Sequence, residues 1–549
     1  MKSMLHILAA LSVFCCGTIF ASWPVNGLPI CTADSQQMFQ NIVKVGSERF
    51  LITWSDKRTG SWDIYGQIVD TAGSVIGVNN GFVICDASGG QMGSTTASMG
   101  SDKAFVAWCD YRNGNADIFC QMIDDAGNML LGANGSPVCV AAGNQNPPGV
   151  LYNGGGFLIA WFDSRNGNND IYAQLLDTLG NRLWPDSGLI VCAHPSDQSS
   201  PKIVSDGNNG WYFFWTDDRS GIQDIYAQRV SGYGSLLWEA EGRLVCQTSF
   251  DKFLYDAVTD NRNGFVCMWT EMRSYYNDVY AQRYDSLGNA LWQSGGVRAC
   301  TLEMDKYNPS MISDGCQGVM IVFDLSDNDL MAQRVDSLGD ICWGSGGILI
   351  AENTNAKYQV SICKSRSDRF TFVWDEMRNA TIDIYAQAID MDGILQWDVN
   401  GIPICTAQYD QIVPVSIGDG YEGVIAVWRE TPVWTNNNLF AQRIFSDGHV
   451  GVCGDGPRVL TFRLGPDVKT FPNPAKKKLK VSYNLSRYGQ VTSKISNVIG
   501  QVINGIDHGY RGQGKYEYDQ NVEGLPSGIY YLTITSDGSS TTKKLQVVR

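Results

Sequence analysis

"WFDSRNGNNDIYAQ", Trp161 to Gln174, reads as a β-hairpin: two apolar strands around a polar Asn/Gly tip. The phrase returns as "WTDDRSGIQDIYAQ" from Trp215 and, more loosely, as "WSDKRTGSWDIYGQ" from Trp54. The glutamine that ends it recurs at Gln67, Gln121, Gln174, Gln228, Gln282, Gln333, Gln387 and Gln442, with spacings of 51 to 55 residues. A second phrase keeps step with it: "NGLPIC", "NGFVIC", "NGSPVC", "SGLIVC", "EGRLVC", "GGVRAC", "GGILIA" and "NGIPIC". Eight copies at so even a period signify a propeller, a solenoid or an array.

Each copy parses into four short strands. In the fourth these are "PKIVSD", "GWYFFWTD", "DIYAQRV" and "LLWEAEGRLVC", separated by the turn sequences "DGNNG", "DRSGIQ" and "SGYG". No window keeps a helical period, so the expected fold is all-β: an eight-bladed β-propeller of four-stranded blades. The phase of the repeat predicts how it closes. The array opens with a fourth strand, Leu28 to Cys31, and ends near Phe445 with a third. That first strand is expected to complete the last blade and close a ring, whereas an open solenoid would need capping repeats.

At 549 residues the chain exceeds one ordinary core, and 44% hydrophobic with 18% charged residues suits a folded protein. Lys2, an apolar run from Met4 to Phe20 and Ala21 form the basic start, apolar middle and small end of a signal peptide, residues 1–21. The run is short for a membrane span, and no later stretch approaches 18 apolar residues, so no transmembrane segment is expected in the mature chain. Residues 22–453 form the repeat region, 454–474 a linker and 475–549 a separate C-terminal domain. Residues 467–549 carry 12 Lys and Arg against 6 Asp and Glu, while the stretch between Lys2 and residue 467 carries 28 against 50. So acidic a body argues against a nucleic-acid partner, which needs a basic face.

The recurring polar set is Asp and Arg after the Trp, then Asp at the start of the third strand: Asp163, Arg165 and Asp170, or Asp217, Arg219 and Asp224. Such carboxylates could serve catalysis or bind calcium. Residues present in nearly every copy are better read as structural, with Arg bridging two Asp across the hairpin. The eight glutamines are read likewise, as amides meeting buried backbone groups between blades. No catalytic residue, cofactor or metal site is assigned: there is no Cys-x-x-Cys pair, and only His194, His449 and His508 lie beyond the leader.

Fourteen cysteines follow the leader, seven at one repeat position: Cys31, Cys85, Cys139, Cys192, Cys246, Cys300 and Cys405, with Ala351 in the eighth. They are expected to be reduced, buried and small-apolar in role. Cys109 and Cys120 stand outside that pattern. If Arg112 pairs with Asp117 around a four-residue tip, the register sets them opposite each other and predicts a disulfide. Departures from the repeat mark candidate ligand contacts. The tips between second and third strands carry Trp62, Tyr111, Tyr275, Tyr276 and Trp434, and the sixth copy replaces the motif with "FDLSDND", Phe323 to Asp329. Exposed aromatics at one end of a ring could stack on sugars or grip a protein.

After Pro474, "LKVSYNL", "VTSKISNV", "QVINGI", "YEYDQNV", "GIYYLTITS" and "TKKLQVV" alternate as strands of a small Ig-like β-sandwich. The ordered series "FPNPAKKKLKVSY", "NVIGQVI", "GLPSGIYYLTI" and "KKLQVV" resembles the type A C-terminal sorting domain of type IX (Por) secretion. The resemblance implies passage to the periplasm and then across the outer membrane by the secretion machinery, to a secreted or cell-surface location. The repeats resemble those of exported bacterial proteins of unassigned role. The leading expectation is a non-enzymatic propeller that binds a glycan or a surface protein. The alternative is an exported glycosidase or lyase, which requires an axial carboxylate pair not bridged by the repeat arginines.

Overall fold

A computed structural model of the chain describes residues 23–100, 102–246, 248–352, 355–378, 380–433, 436–451, 467–471, 474–485, 489–497, 502–511, 514–536 and 539–548. The leader at 1–21, most of the expected linker and the candidate Trp434 lie outside the described residues. The chain divides into two compact regions, Met1–Val452 and Cys453–Arg549. All regular structure among the described residues is β.

The first region contains eight antiparallel sheets, one per sequence copy. In the third, Gln145–Tyr152, Phe157–Asp163, Asp170–Leu176 and Leu189–Cys192 pair in chain order. The eighth is built from Asp410–Gly418, Val424–Val433 and Asn436–Ile444, and its fourth strand is Leu28–Cys31 from the start of the chain. The first strands of the sheets follow one another in a closed cycle. Gln37–Lys44 neighbours both Gln91–Ser98 of the second sheet and Asp410–Gly418 of the eighth. These strands therefore surround the centre, and the fourth strands lie outermost.

Burial explains the repeat. The second strand of each sheet is buried over most of its length and mainly apolar, because both of its faces press on neighbouring sheets. Trp54, Trp108, Trp161, Trp215, Trp269, Trp374 and Trp428 are fully buried. At the closure, Trp23, Leu28, Ile30 and Cys31 share a core with Phe50, Ile52 and Trp54 of the first sheet and Ile425, Val427, Leu439 and Ala441 of the eighth. Backbone bonds also run between sheets at the tips, as from Gln91 N–H to Trp62 O (2.7 Å) and Gln145 N–H to Ala116 O (2.7 Å).

Three expectations are corrected here. In the second copy Asp110 stands opposite Asp117, so the tip has six residues rather than four. Cys109 then faces Ile118 and Cys120 faces Ala107; the two cysteines are only diagonal neighbours, about 7–8 Å apart in such a ladder, and both are free thiols. The arginines do not bridge the two aspartates of the motif. Arg165 grips Asp163 alone, while Asn166 and Asn168 donate to Asp170 (2.7 and 3.0 Å), because the wider tip holds the second aspartate away. Third, the eight glutamines work within a copy rather than between copies. Gln174 Nε2 donates to Pro185 O (2.8 Å), and its Oε1 accepts from the N–H of Leu175 and of Trp184 (3.0 and 3.1 Å). Gln67, Gln121, Gln228, Gln282, Gln333 and Gln387 donate in the same way to Ile76, Gly132, Glu239, Gln293, Gly344 and Asp398. Gln442 reaches Pro24 O (2.7 Å), since the start of the chain completes its sheet.

In the second region, Asp467–Phe471 is a strand paired with Lys478–Leu485, so the β-structure begins inside the stretch expected to be linker. A three-stranded and a four-stranded sheet enclose a core that includes Leu479, Val481, Val491, Ile495, Leu532, Ile534 and Leu545.

Candidate functional site

Six copies carry the same clamp at the base of the tip. The Trp Nε1 donates to a carboxylate two residues on, at 2.8–3.0 Å, in Asp56, Asp110, Asp163, Asp217, Glu271 and Glu376. Arg58, Arg112, Arg165, Arg219, Arg273 and Arg378 pair with those carboxylates and lie 3.6–4.1 Å from the centroid of the ring at Tyr65, Phe119, Tyr172, Tyr226, Tyr280 or Tyr385. Arg58, Arg112, Arg165 and Arg219 also donate to the repeat cysteine of the preceding sheet, at 3.0–3.3 Å. That slot was expected to be merely apolar; it is a buried acceptor joining adjacent sheets. Burial pushes the Cys85 thiol up to about 12, so it stays protonated and unreactive. The clamp holds the fold together and leaves no reactive group over.

The non-repeated groups lie closer to the centre. Directly after the Trp (Phe323 in the sixth copy), the eight copies carry Ser55, Cys109, Phe162, Thr216, Thr270, Asp324, Asp375 and Arg429. This position faces the first strand of its own or the next sheet. Gly93 N–H donates to Ser55 Oγ (3.2 Å), and Val413 N–H to Asp375 Oδ2 (2.9 Å). Every first strand has a register shift at this level. Several shifts hold a non-glycine residue at positive φ: Phe39 (58°), Ser200 (55°), Asn308 (47°) and Val413 (58°). A β-branched residue there is strained. Val413 is kept in place because Asp375 takes its N–H and Gln40 Nε2 donates to its carbonyl (2.5 Å).

Charge at this level is confined to consecutive copies. Asp324 is buried; Asn308 Nδ2 donates to its Oδ2 at 3.1 Å, and its Oδ1 has no partner among the described residues. Desolvation pushes it up to about 6, Asn308 and Lys357 oppose this, and Asp375 adds to it. Asp375 accepts from Gln359 N–H (2.7 Å) as well as from Val413, yet burial still raises it. Arg429 makes no ion pair or hydrogen bond among the described residues; desolvation lowers it, and Asp375 pulls the other way. In the fifth copy Asp256, on the first strand beyond the register shift, is also raised to about 6 by burial, against the pull of Lys202. This set places buried carboxyls whose pKa values are raised and a planar guanidinium on consecutive copies. Among the described residues no group of three or more His, Cys, Asp or Glu is placed to hold a metal.

The described tip aromatics, Trp62, Tyr111, Tyr275 and Tyr276, lie on the hairpin tips of the first, second and fifth copies. Trp62 and Tyr111 flank one connection: Gln91 N–H donates to Trp62 O, and Tyr111 N–H to Gly90 O (2.9 Å). Tyr275, 85% exposed, and Tyr276 meet edge to face at 5.4 Å in the fifth copy. Sequence reading passed over Asp256, Asp375 and Arg429. Aligning the position after Trp across the eight copies reveals Asp375 and Arg429, and the deviant sixth copy already contains Asp324.

Residues 469–548 match the secretion system C-terminal sorting domain. That segment directs the protein through the type IX machinery to a secreted or cell-surface location. No helix among the described residues is long and apolar enough to cross a membrane. No curated protein sequence matches the chain. Among solved structures, one from a study of two prolyl endopeptidases aligns at 15% identity and TM-score 0.38 over 74% of this chain and 56% of that one, so this chain spans little more than half its length. A protein of unknown function from Dyadobacter fermentans aligns at 10% identity and TM-score 0.37, covering 77% of this chain and 98% of that one. PorZ of Porphyromonas gingivalis, a surface component of the type-IX secretion system, aligns at 11% and 0.29, covering 93% and 75%. At these scores no activity carries over from any of them.

Proposed function

We propose that the first region is a closed eight-bladed β-propeller, that an Ig-like sandwich behind it is its export signal, and that the exported protein binds a glycan at the mouth of the ring. Residues 1–21 act as the cleaved leader. The observation that supports this reading most is the charged set Asp256, Asp324, Asp375 and Arg429. These residues break the repeat, lie on or beside the central strands and include a buried carboxylate oxygen, Asp324 Oδ1, and a guanidinium nitrogen, Arg429 Nε, without a hydrogen-bond partner among the described residues. Sugar hydroxyls satisfy such groups without requiring full charge neutralisation. Trp62, Tyr111, Tyr275 and Tyr276 serve as stacking platforms at the rim. A glycan array probed with the mature protein tests this: binding that drops at least tenfold in Asp324→Asn supports it, and an array without hits removes it.

A second reading, glycoside cleavage, is favoured by one observation: Asp324 holds its proton to pH about 6 beside Asp375, neither bridged by a repeat arginine. Asp324 would be the general acid. Release of reducing ends from an array hit, abolished in Asp324→Asn, distinguishes cleavage from binding alone.

A further inference from the structure

Two copies lack the clamp arginine, and they lack it differently. The sixth has replaced the whole arrangement: Phe323, Leu325 and Met331 stand where other copies have Trp, Asp or Glu, and Tyr or Phe, and all three are buried. A lost structural feature looks like this, each polar group gone with its partner. The eighth copy has lost only the arginine. Trp428, Glu430 and Phe440 keep their places, with Phe440 opposite Trp428 as Tyr172 is opposite Trp161, and Pro432 stands at the arginine position. Glutamate is compatible with the clamp, since Glu271 and Glu376 serve in the fifth and seventh copies.

The consequences are visible in the groups left behind. Trp428 is fully buried, yet its Nε1 has no hydrogen-bond partner among the described residues, unlike the tryptophans of the six clamped copies. Among the described residues Glu430 is held only by Asn438 Nδ2 at 3.5 Å, and burial raises its pKa. Cys405, equivalent to the cysteines that accept from arginine, keeps the contact those cysteines make, its thiol donating to Asn26 O at 3.3 Å as Cys85, Cys139 and Cys192 donate to Asn134, Ser187 and Glu241, but its sulfur receives no arginine. Asn26 precedes Gly27 as Asn80 precedes Gly81, and Asn80 O accepts from Arg58 (2.9 Å). The carboxylate and aromatic face that grip a guanidinium six times elsewhere in this chain thus remain, with the carbonyl that five of those arginines use and the sulfur that four of them use.

We propose that the eighth copy is a receptor site for the guanidinium of an arginine side chain presented by a partner polypeptide. An incoming guanidinium would draw Glu430 back under Trp428 Nε1 and lie over Phe440, completing the clamp in trans. A peptide fits better than the free amino acid, because in the four aspartate clamps the arginine's own N–H also donates to the carboxylate, as from Arg165 to Asp163 (3.0 Å). Lysine lacks the planar fork and should be discriminated against. The site is separate from the carboxylates of the ring mouth and stands whether or not the glycan reading holds.

The test is calorimetric titration of the mature full chain with acetyl-Gly-Arg-Gly-amide, its lysine counterpart and free L-arginine. The arginine peptide should bind at least tenfold more tightly than the lysine peptide and more tightly than free arginine. Pro432→Arg, which supplies the guanidinium in cis, should abolish binding, as should Glu430→Gln. Absent or equal binding of the two peptides by the wild type overturns the site, whatever the variants do. Undiminished binding by a folded Pro432→Arg protein does so as well. Free arginine binding as tightly as the peptide refutes the polypeptide partner.

Discussion

Replacing Asp324 by Asn should make the protein less sensitive to alkaline pH rather than simply weaker. Desolvation raises the Asp324 pKa from 3.8 to about 6 in the folded chain, with Asn308 and Lys357 opposing and Asp375 reinforcing. The folded state therefore holds this proton more tightly than the unfolded chain does. Its contribution to stability is complete below pH about 4 and is lost as pH rises through about 6. A displacement of about two pKa units corresponds to about 3 kcal/mol between the two limits. Asparagine keeps the shape, can still accept from Asn308 and does not ionise. Urea unfolding at pH 4.5 and pH 8 should show the wild type losing about 2 kcal/mol more than Asp324→Asn over that interval, the first part of the loss having already occurred below pH 4.5. Lys357 and Asp375 also titrate or carry charge beside this group, so the comparison is the difference between the two proteins, not either curve alone. Parallel pH dependences would refute the assignment of a buried, proton-holding carboxyl at this position.

Three further outcomes are expected. Ile30→Ala, in the strand that completes the eighth sheet, removes a fully buried side chain between two sheets and should cost about 2–5 kcal/mol in a melt; an unchanged midpoint would contradict closure by that strand. Arg165→Ala strands the buried Asp163 carboxylate and should cost about 3 kcal/mol, partly restored by adding Asp163→Asn, with no recovery counting against the clamp. Deleting residues 467–549 should leave a folded repeat region in the periplasm; surface delivery of that truncation would show that the C-terminal region is not the export signal.

The framework was legible because each copy repeats its instructions: Trp161, Asp163, Arg165 and Gln174 recur with their turns, and a first strand out of phase announced how the eighth sheet is completed. Register was the weak point. A tip of four residues and a tip of six differ only in whether Arg112 or Asp110 stands opposite Asp117. Composition does not decide this; the wide turn held by Asn113 and Asn115 donating to Asp117 does. The site was harder to read for the opposite reason. Asp256, Asp375 and Arg429 follow no motif, and each is unremarkable until the closed cycle of first strands brings separate copies together. The aromatic tips drew notice because exposed rings are conspicuous, whereas a carboxylate becomes unusual only through the burial that the fold imposes.

A crystal structure of the mature repeat region soaked with a glycan-array hit tests the central claim most directly. The account predicts sugar hydroxyls within hydrogen-bond distance of Asp324 Oδ1 and the Arg429 guanidinium, beside the first strands. Sugar bound only at the outer tips around Trp62 or Tyr275, with the central groups untouched, would contradict it.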